Sequence, residues 1–317
     1  MNLPPLKLRA VCKSFGANKA VQDLELEVPA GSLCGFLGPN GAGKTTAIRI
    51  IMSILLPDSG TVEVLGGSAL DNKDRIGYLP EERGLYRRMR VGEFLEYVAA
   101  LKGVTRRGLA HDIKQWLDRL ELPLTYRQRC QELSKGMQQK IQFLAAIIHD
   151  PDLLILDEPF SGLDPVNTSL VSRLIEELHQ RGKTIIFSTH ILHQAEQLCD
   201  RCFLINNGIK LLDATIADIR AQFDPRTIEV EPLNADDAAS SLLDIPGIDS
   251  VSNGRSLELF LKDGAEPRSI MKQVIERCDV RSLRLRRITL EEVFVRLVRA
   301  DLAAEDVVRM RRELTDA

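Results

Sequence analysis

A glycine-rich segment with one lysine and two threonines is the part of this sequence best suited to chemistry. The segment lies between an apolar run and a stretch with helical periodicity. Backbone N–H groups of such a loop converge on phosphate oxygens, and the positive end of the following helix adds to the attraction. Lys44 is spaced to reach the β- and γ-phosphates, and Thr45 offers a hydroxyl to Mg²⁺. The predicted phosphate-binding residues are Gly38, Pro39, Asn40, Gly41, Ala42, Gly43, Lys44, Thr45 and Thr46.

Two adjacent acids close an apolar run farther along the chain. The run Leu153–Leu156 is typical of a buried parallel strand, and Asp157 and Glu158 follow it directly. Because the carboxyl ends of parallel strands share one edge of a sheet, we expect both acids to face the phosphate loop. Asp157 is predicted to complete the Mg²⁺ shell. Glu158 is predicted to point the other way, since side chains alternate along a strand, and to accept a proton from the attacking water.

Three further motifs occur in a fixed order around these acids. Leu133 to Gln138 reads Leu-Ser-Lys-Gly-Met-Gln, Ser161 to Pro165 reads Ser-Gly-Leu-Asp-Pro, and a later apolar run ends in Ser-Thr-His190. Together with the phosphate loop and the acids, they resemble the signature motif, the D-loop and the switch histidine of the ABC ATPase family. The resemblance covers roughly residues 6 to 213, and it implies that ATP and Mg²⁺ are the cofactors.

The resemblance also implies roles for individual residues. Phe15 would stack on adenine, and His190 would contact the γ-phosphate. Ser134 and Gly136 would meet the ATP bound by the opposite subunit, and Asp164 would organise the dimer interface, so that each ATP is held between two chains. The residues expected to be catalytic are Lys44, Glu158 and His190.

The sequence departs from the family pattern in two places. Glu81 stands where most members carry glutamine, which would put a third metal-binding residue beside Thr45 and Asp157. Attraction of Glu81 to the metal and its repulsion from the neighbouring acids oppose each other. The sequence therefore does not determine whether Glu81 raises or lowers ATP turnover. Lys135 and Met137 replace commoner signature residues, which suggests slower or partner-dependent hydrolysis.

The glutamate at position 81, the Gly84-Leu85-Tyr86 that follows it and the segment Ile288–Phe294 resemble one branch of the family, the ATPases paired with ABC-2-type permeases, which includes the sodium-extrusion ATPases. The branch implies an exporter whose integral membrane permease is a separate chain. A homodimer is expected, with a heterodimer as the alternative. Two other functions stay open: a non-transport ABC ATPase of translation or DNA repair, and a nucleotide-dependent regulatory protein with little turnover.

The elements that must position these residues indicate an α/β fold. We predict a P-loop NTPase core with an antiparallel β subdomain and a helical subdomain, followed by a small C-terminal α+β domain. The predicted ATP-binding domain spans residues 1–221, with its helical subdomain at about 84–150. The α+β domain spans residues 222–300, and residues 301–317 form a charged tail.

Composition limits the partners and the location. The net charge of -3 gives no general attraction to nucleic acid, so no nucleic-acid partner is expected. No apolar stretch approaches the roughly 20 residues that cross a bilayer, and the first residues carry charges where a signal peptide is apolar. The protein is therefore expected in the cytoplasm, peripheral on the cytoplasmic face of the inner membrane. Cys199 and Cys202 are interpreted as buried thiols rather than a redox pair.

Overall fold

The structure is a computed structural model that describes residues 3–82, 84–223, 226–233, 242–253 and 256–298. The predicted charged tail lies outside these residues. The described chain forms two compact units, with the division between Ile216 and Ala217 and the second unit extending to Arg296.

An antiparallel sheet of three strands opens the first unit. The strands are β1 (Leu6–Phe15), β2 (Asn18–Val28) and β4 (Ser59–Val64), in the order β2-β1-β4. Apolar and polar residues alternate along β2, and its apolar side chains are buried toward one face. This sheet carries Phe15 at the end of β1.

A six-stranded sheet forms the centre of the first unit. Its order is β5-β6-β7-β3-β8-β9, in which β8 and β9 pair antiparallel and the other neighbours pair parallel. Every residue of the adjacent strands β6, β7 and β3 is buried, as expected for continuous apolar runs covered on both faces. The strands are β3 (Leu33–Leu37), β5 (Ile76–Leu79), β6 (Leu153–Asp157), β7 (Thr184–Thr189), β8 (Arg201–Asn206) and β9 (Ile209–Thr215).

Six helices accompany these sheets in the described part of the first unit before residue 216. Helix α1 packs against β4 and β6, while α5 and α6 pack against β7. The described residues between 84 and 150 form helices and no strand, including short 3-10 turns at Thr125–Arg127 and Cys130–Glu132. The helices are α1 (Lys44–Ile51), α2 (Val91–Leu101), α3 (Leu109–Arg119), α4 (Lys135–Ile147), α5 (Pro165–Gln180) and α6 (Leu192–Leu198).

The second unit has a sheet and a core of its own. Its four strands pair antiparallel in the order β11-β12-β10-β13, and Ile228, Leu259, Ile270 and Val274 lie in the apolar core. The elements are α7 (Ile216–Gln222, which crosses the division), β10 (Thr227–Pro232), β11 (Ile248–Asn253), β12 (Leu257–Leu261), α8 (Pro267–Arg277), β13 (Val280–Leu285) and a helix at residues 290–298.

The predicted fold class, an α/β core with antiparallel and helical parts and a small α+β unit, is confirmed. Among the described residues, no helix combines the length and the apolar character needed to cross a bilayer.

Candidate nucleotide-binding site

The phosphate loop connects β3 to α1 and is clamped against its neighbours. A Cβ atom at Gly43, whose φ is 103°, would lie 2.2 Å from the carbonyl oxygen of Ala20 on β2. A Cβ atom at Gly38 would lie 2.2 Å from the carbonyl oxygen of Ile205 on β8. Only glycine tolerates such approaches, so these two positions fix the loop between β2 and β8.

The Lys44 side chain is folded into its own loop. Its Nζ atom donates to the carbonyl oxygens of Gly38 at 2.8 Å and Pro39 at 3.1 Å. Burial lowers the pKa of Lys44, while the carboxylates of Glu158, Asp157 and Glu81 act to raise it. The ammonium group therefore lies at the loop, next to the acids, where a phosphate oxygen can replace the two carbonyls.

Asp157 is buried at the end of β6 and offers one unused oxygen. The Ser188 hydroxyl on β7 donates to Oδ1 at 2.5 Å, whereas the buried Oδ2 has no hydrogen-bond partner. Burial raises the pKa of Asp157 above its usual range, and the charge of Glu81 adds to this effect. A buried carboxylate oxygen without a partner is costly, and a bound cation would satisfy it.

The residues around Asp157 fit Mg²⁺. The Thr45 hydroxyl lies 3.5 Å from Oε2 of Glu81, and the same side chain acts to lower the pKa of Asp157, against the effect of burial. The described residues contain no cluster of three or more His, Cys, Asp or Glu side chains suited to a metal. A cation here would therefore take part of its shell from phosphate and water, as Mg²⁺ does.

Glu158 leaves the strand and faces His190. Its φ of 49° is left-handed, so the expectation that strand alternation orients Glu158 is wrong. Its backbone N–H instead donates to the carbonyl and hydroxyl oxygens of Ser188, at 3.2 and 3.1 Å. The carboxylate atom Oε1 accepts from the backbone N–H of His190 at 3.1 Å and from its Nδ1 at 2.9 Å. The Glu158 side chain is buried and the His190 side chain is half exposed, so the hydrogen-bonded pair extends from the interior to the protein surface.

One cavity of about 350 Å³ brings most of the predicted residues together. Phe15 is 52% exposed at its mouth, with the Lys13 ammonium 5.7 Å from the ring centroid, and its ring is open to stacking. Gly38, Pro39 and Ala42 belong to the loop but do not line the cavity. The lining residues are Phe15, Asn18, Ala20, Asn40, Gly41, Gly43, Lys44, Thr45, Thr46, Glu81 and Glu158.

Sequence reasoning missed Ala20, Asn18 and Ser188, which shape or support the site. Ala20 and Asn18 come from β2, and the β-alternation of that strand gave no chemical signal. Ser188 was noted only as part of the run before His190, although its hydroxyl holds both acids. Its position at the end of the neighbouring parallel strand was the available signal.

The three residues predicted to serve an opposite subunit do not line this cavity and lie at helix N-termini. Ser134 caps α4 by accepting from the Met137 N–H at 3.3 Å. A Cβ atom at Gly136 would make only ordinary contacts, the nearest at 3.6 Å. Asp164 caps α5 by accepting from the backbone and side-chain N–H groups of Asn167, and these bonds lower the pKa of Asp164. The Asp-Pro sequence before a helix was the missed signal for this cap.

Comparisons with known proteins match both units. The family described as ABC transporter matches residues 21–161, and the C-terminal domain of DrrA1-3-like ATP-binding proteins matches residues 215–298. The ABC transporter ATP-binding protein YhaQ of Bacillus subtilis (strain 168) is 36% identical over 301 residues, covering 93% of this chain and 99% of YhaQ. Nod factor export ATP-binding protein I of Burkholderia lata is 32% identical over 305 residues, covering 94% of this chain and 98% of that protein.

A solved structure of the ATP binding subunit of an ABC transporter superposes with a TM-score of 0.64 at 30% identity, covering 69% of this chain and 92% of that chain.

The clamp on the phosphate loop predicts different costs for two glycine substitutions. Gly43→Ala meets a backbone oxygen and should lower the free energy of unfolding by about 3 kcal/mol. Gly41→Ala, at a φ of 80° with nothing within 4 Å, should cost only about 1 kcal/mol for the left-handed backbone. Urea unfolding without nucleotide measures both values. Equal losses of stability in the two variants would contradict the inference that the loop is held closely against β2 at Gly43.

The unpartnered oxygen predicts that Asp157→Asn stabilises the nucleotide-free protein at pH 7. A carboxyl group whose pKa is raised in the folded state adds stability while protonated and loses it as the pH rises through that pKa. Asparagine retains the bond from Ser188 without the buried charge, so the free energy of unfolding should rise by about 1 kcal/mol. The gain over wild type should shrink as the pH falls.

The exposed Asp152, at the other end of β6, provides the matched control. Asp152→Asn should give no such gain and should keep the thermal stabilisation by ATP with Mg²⁺, which Asp157→Asn should lose. Retention of the full Mg²⁺ effect in Asp157→Asn would exclude Asp157 as a metal ligand.

Proposed function

Because this chain belongs to the ATP-binding proteins of ABC transporters, which hydrolyse ATP, we propose that it binds ATP with Mg²⁺ between two copies and drives a separate membrane permease. One observation carries the proposal: the phosphate loop and Glu158 line one cavity. Asp157, with its unpartnered buried oxygen, directly precedes Glu158, and His190 donates to the Glu158 carboxylate. The Thr45 and Asp157 side chains would hold the metal, with Glu81 beside them. Mg²⁺ neutralises phosphate charge and orients the oxygens that react.

Each catalytic side chain then has a defined task. Lys44 exchanges its bonds to the loop carbonyls for phosphate oxygens. Glu158 accepts a proton from the attacking water, which is the contribution of a general base. His190 donates to the same carboxylate from its ring and its backbone, so it fixes the direction in which Glu158 presents its other oxygen. The half-exposed ring of His190 would contact the γ-phosphate.

The second half of each site comes from another copy in this proposal. Ser134 caps α4 and Gly136 lies in its first turn, where N–H groups and the positive helix end favour an anion. A Cβ atom at Gly136 would make only ordinary contacts with Leu163 and Gly162, so the fold of one chain does not require glycine there, which supports close approach of an external group. Asp164 would contact the partner from the start of α5. Two copies of this chain form the simplest such dimer, and two different ATPases are the alternative.

The transporter is proposed to be an exporter with an ABC-2-type permease. Residues 215–298 match the C-terminal domain of the DrrA1-3-like proteins, and one relative over nearly the whole chain is a Nod factor export ATP-binding protein. Such a subunit acts peripherally on the cytoplasmic face of the membrane. The cargo path would lie in the permease, so no cargo is assigned.

An exposed aromatic patch gives the permease a contact surface. Tyr86 and Tyr97 stack edge to face with ring centroids 5.7 Å apart, and Leu101 follows one turn after Tyr97 on α2. All three side chains are exposed, Tyr97 by 43%. Contiguous exposed apolar groups with polar tips are typical of protein contacts.

Glu158→Gln should trap the dimer that hydrolysis normally dissolves. The amide oxygen can still accept from His190, but it cannot take a proton, so turnover should fall by at least about 100-fold. Size-exclusion chromatography with ATP and Mg²⁺ should show the variant as a dimer and without ATP as a monomer.

The second variant, Glu158→Gln with Gly136→Asp, puts a carboxylate where the opposite phosphate is expected and should stay monomeric with ATP. Two results together would favour the regulatory alternative. The Glu158→Gln protein would stay monomeric with ATP, and the ATP turnover of the wild type would be so low that Glu158→Ala does not reduce it.

A mild-detergent pull-down of tagged Glu158→Gln protein from its native cells tests whether the chain binds a membrane permease. Mass spectrometry should find a multi-span membrane protein in stoichiometric amount. Tyr97→Ser should lower the recovery of this membrane protein several-fold. Leu124→Ser is the control, because the Leu124 side chain is 85% exposed elsewhere among the helices, and it should not lower the recovery. Recovery of ribosomes or nucleic acid in place of a membrane protein would favour the non-transport alternative.

A further inference from the structure

Two buried glutamines of helix α4 donate to backbone carbonyl oxygens beside the site in the same chain. Gln139 is 2% exposed, and its Nε2 donates to the carbonyl oxygens of Pro159 at 3.1 Å and Glu158 at 3.5 Å. Gln142 is 6% exposed, and its Nε2 donates to the carbonyl oxygen of Glu82 at 3.4 Å. Residues three apart share one face of a helix, so this face of α4 contacts the segments that follow β6 and β5.

The segment after β6 needs such support. Glu158 is left-handed, which is unfavourable for a residue with a side chain, and Pro159 has no N–H to donate. Its chain is turned back by the bond from the Ser161 N–H to the Glu158 carbonyl, at 3.1 Å. The amide of Gln139 holds the two successive carbonyls at the start of this turn. It thereby acts on the backbone that sets where the Glu158 carboxylate lies against His190.

The segment after β5 is held between two helices. Glu82 accepts from Gln142 on α4 through its carbonyl, and its carboxylate pairs with Arg49 on α1 at 3.1 Å. The Oε1 atom of Gln142 is buried without a hydrogen-bond partner. A buried acceptor in that condition is costly, and a donor brought to it would lower that cost.

We propose that Gln139 is a positioning residue that couples the two ATP sites of the dimer. The N-terminus of α4 serves the nucleotide held by the second copy, and Gln139, just over one turn along, holds Glu158 of its own site. Engagement of α4 by the opposite nucleotide therefore readjusts Glu158 through the Gln139 amide, and neither site hydrolyses at full rate until the other is occupied. The inference rests on the proposed function, because it requires the composite dimer.

Gln139→Met tests the coupling, since methionine retains the length and the packing but has no donor. We expect unchanged affinity of the single chain for a fluorescent ATP analogue, about tenfold lower kcat, and a Hill coefficient for ATP hydrolysis that falls from near 2 to near 1. Gln139→Asn, whose amide is too short to reach both carbonyls, is the second variant and should also lose cooperativity.

Asn72 provides a matched control away from the site. Its Nδ2 also donates to two carbonyl oxygens, of Val64 at 3.0 Å and Ser68 at 3.2 Å. Asn72→Leu should keep both kcat and cooperativity, even if it lowers thermal stability as much as Gln139→Met does. A Gln139→Met protein that hydrolyses cooperatively at the wild-type rate would overturn the coupling. Wild-type protein that neither dimerises with ATP nor shows cooperativity would instead overturn the proposed function.

Discussion

The order β6-β7-β3 in the parallel sheet places three strand ends side by side, and the chemistry of the site depends on this adjacency. In the register, Asp157 lies beside Ser188, and Leu37, which precedes the phosphate loop, lies beside Thr189. The central strand therefore supplies groups to both acids: the Ser188 hydroxyl to Asp157 and the His190 ring to Glu158. The lysine that follows β3 faces these acids because parallel strands end at a common edge.

This adjacency concentrates negative charge. The Glu81, Asp157 and Glu158 side chains all act on Lys44, which is the cation they share. Three carboxylates beside one ammonium leave an excess of negative charge. Burial makes this charge unfavourable, as the raised pKa of Asp157 indicates. A glutamine at position 81 would remove one of these charges. If a divalent cation binds as proposed, it would offset the repulsion that Glu81 adds and that an amide would not cause.

Much of this arrangement was predictable, because the apolar runs and the motif spacing are local signals. The run Leu153–Leu156 predicted the strand, and the phosphate loop predicted its own place between a strand and a helix. The conformation of Glu158 was not predictable, since its left-handed φ depends on bonds from a strand 30 residues away. The cap at Asp164 has a local signature, but the family resemblance drew attention to its role in a dimer. The contacts of Gln139 have no sequence signature, because an amide on a helix face says nothing about the carbonyls it meets.

In the proposed dimer, the N-terminal ends of α4 and α5 would serve the second site, and closure of the dimer would then depend on the nucleotide. Within its own chain, Ser134 caps α4, and a Cβ atom at Gly136 would make only ordinary contacts, so the fold of one chain does not require glycine there. Phe15 is likewise half exposed at the mouth of the cavity. A ligand shifts an equilibrium between open and closed states only by its difference in affinity for the two. In the proposed dimer, ATP bound at the phosphate loop would make that difference large, because only in the closed state would its γ-phosphate also meet the positive end of α4.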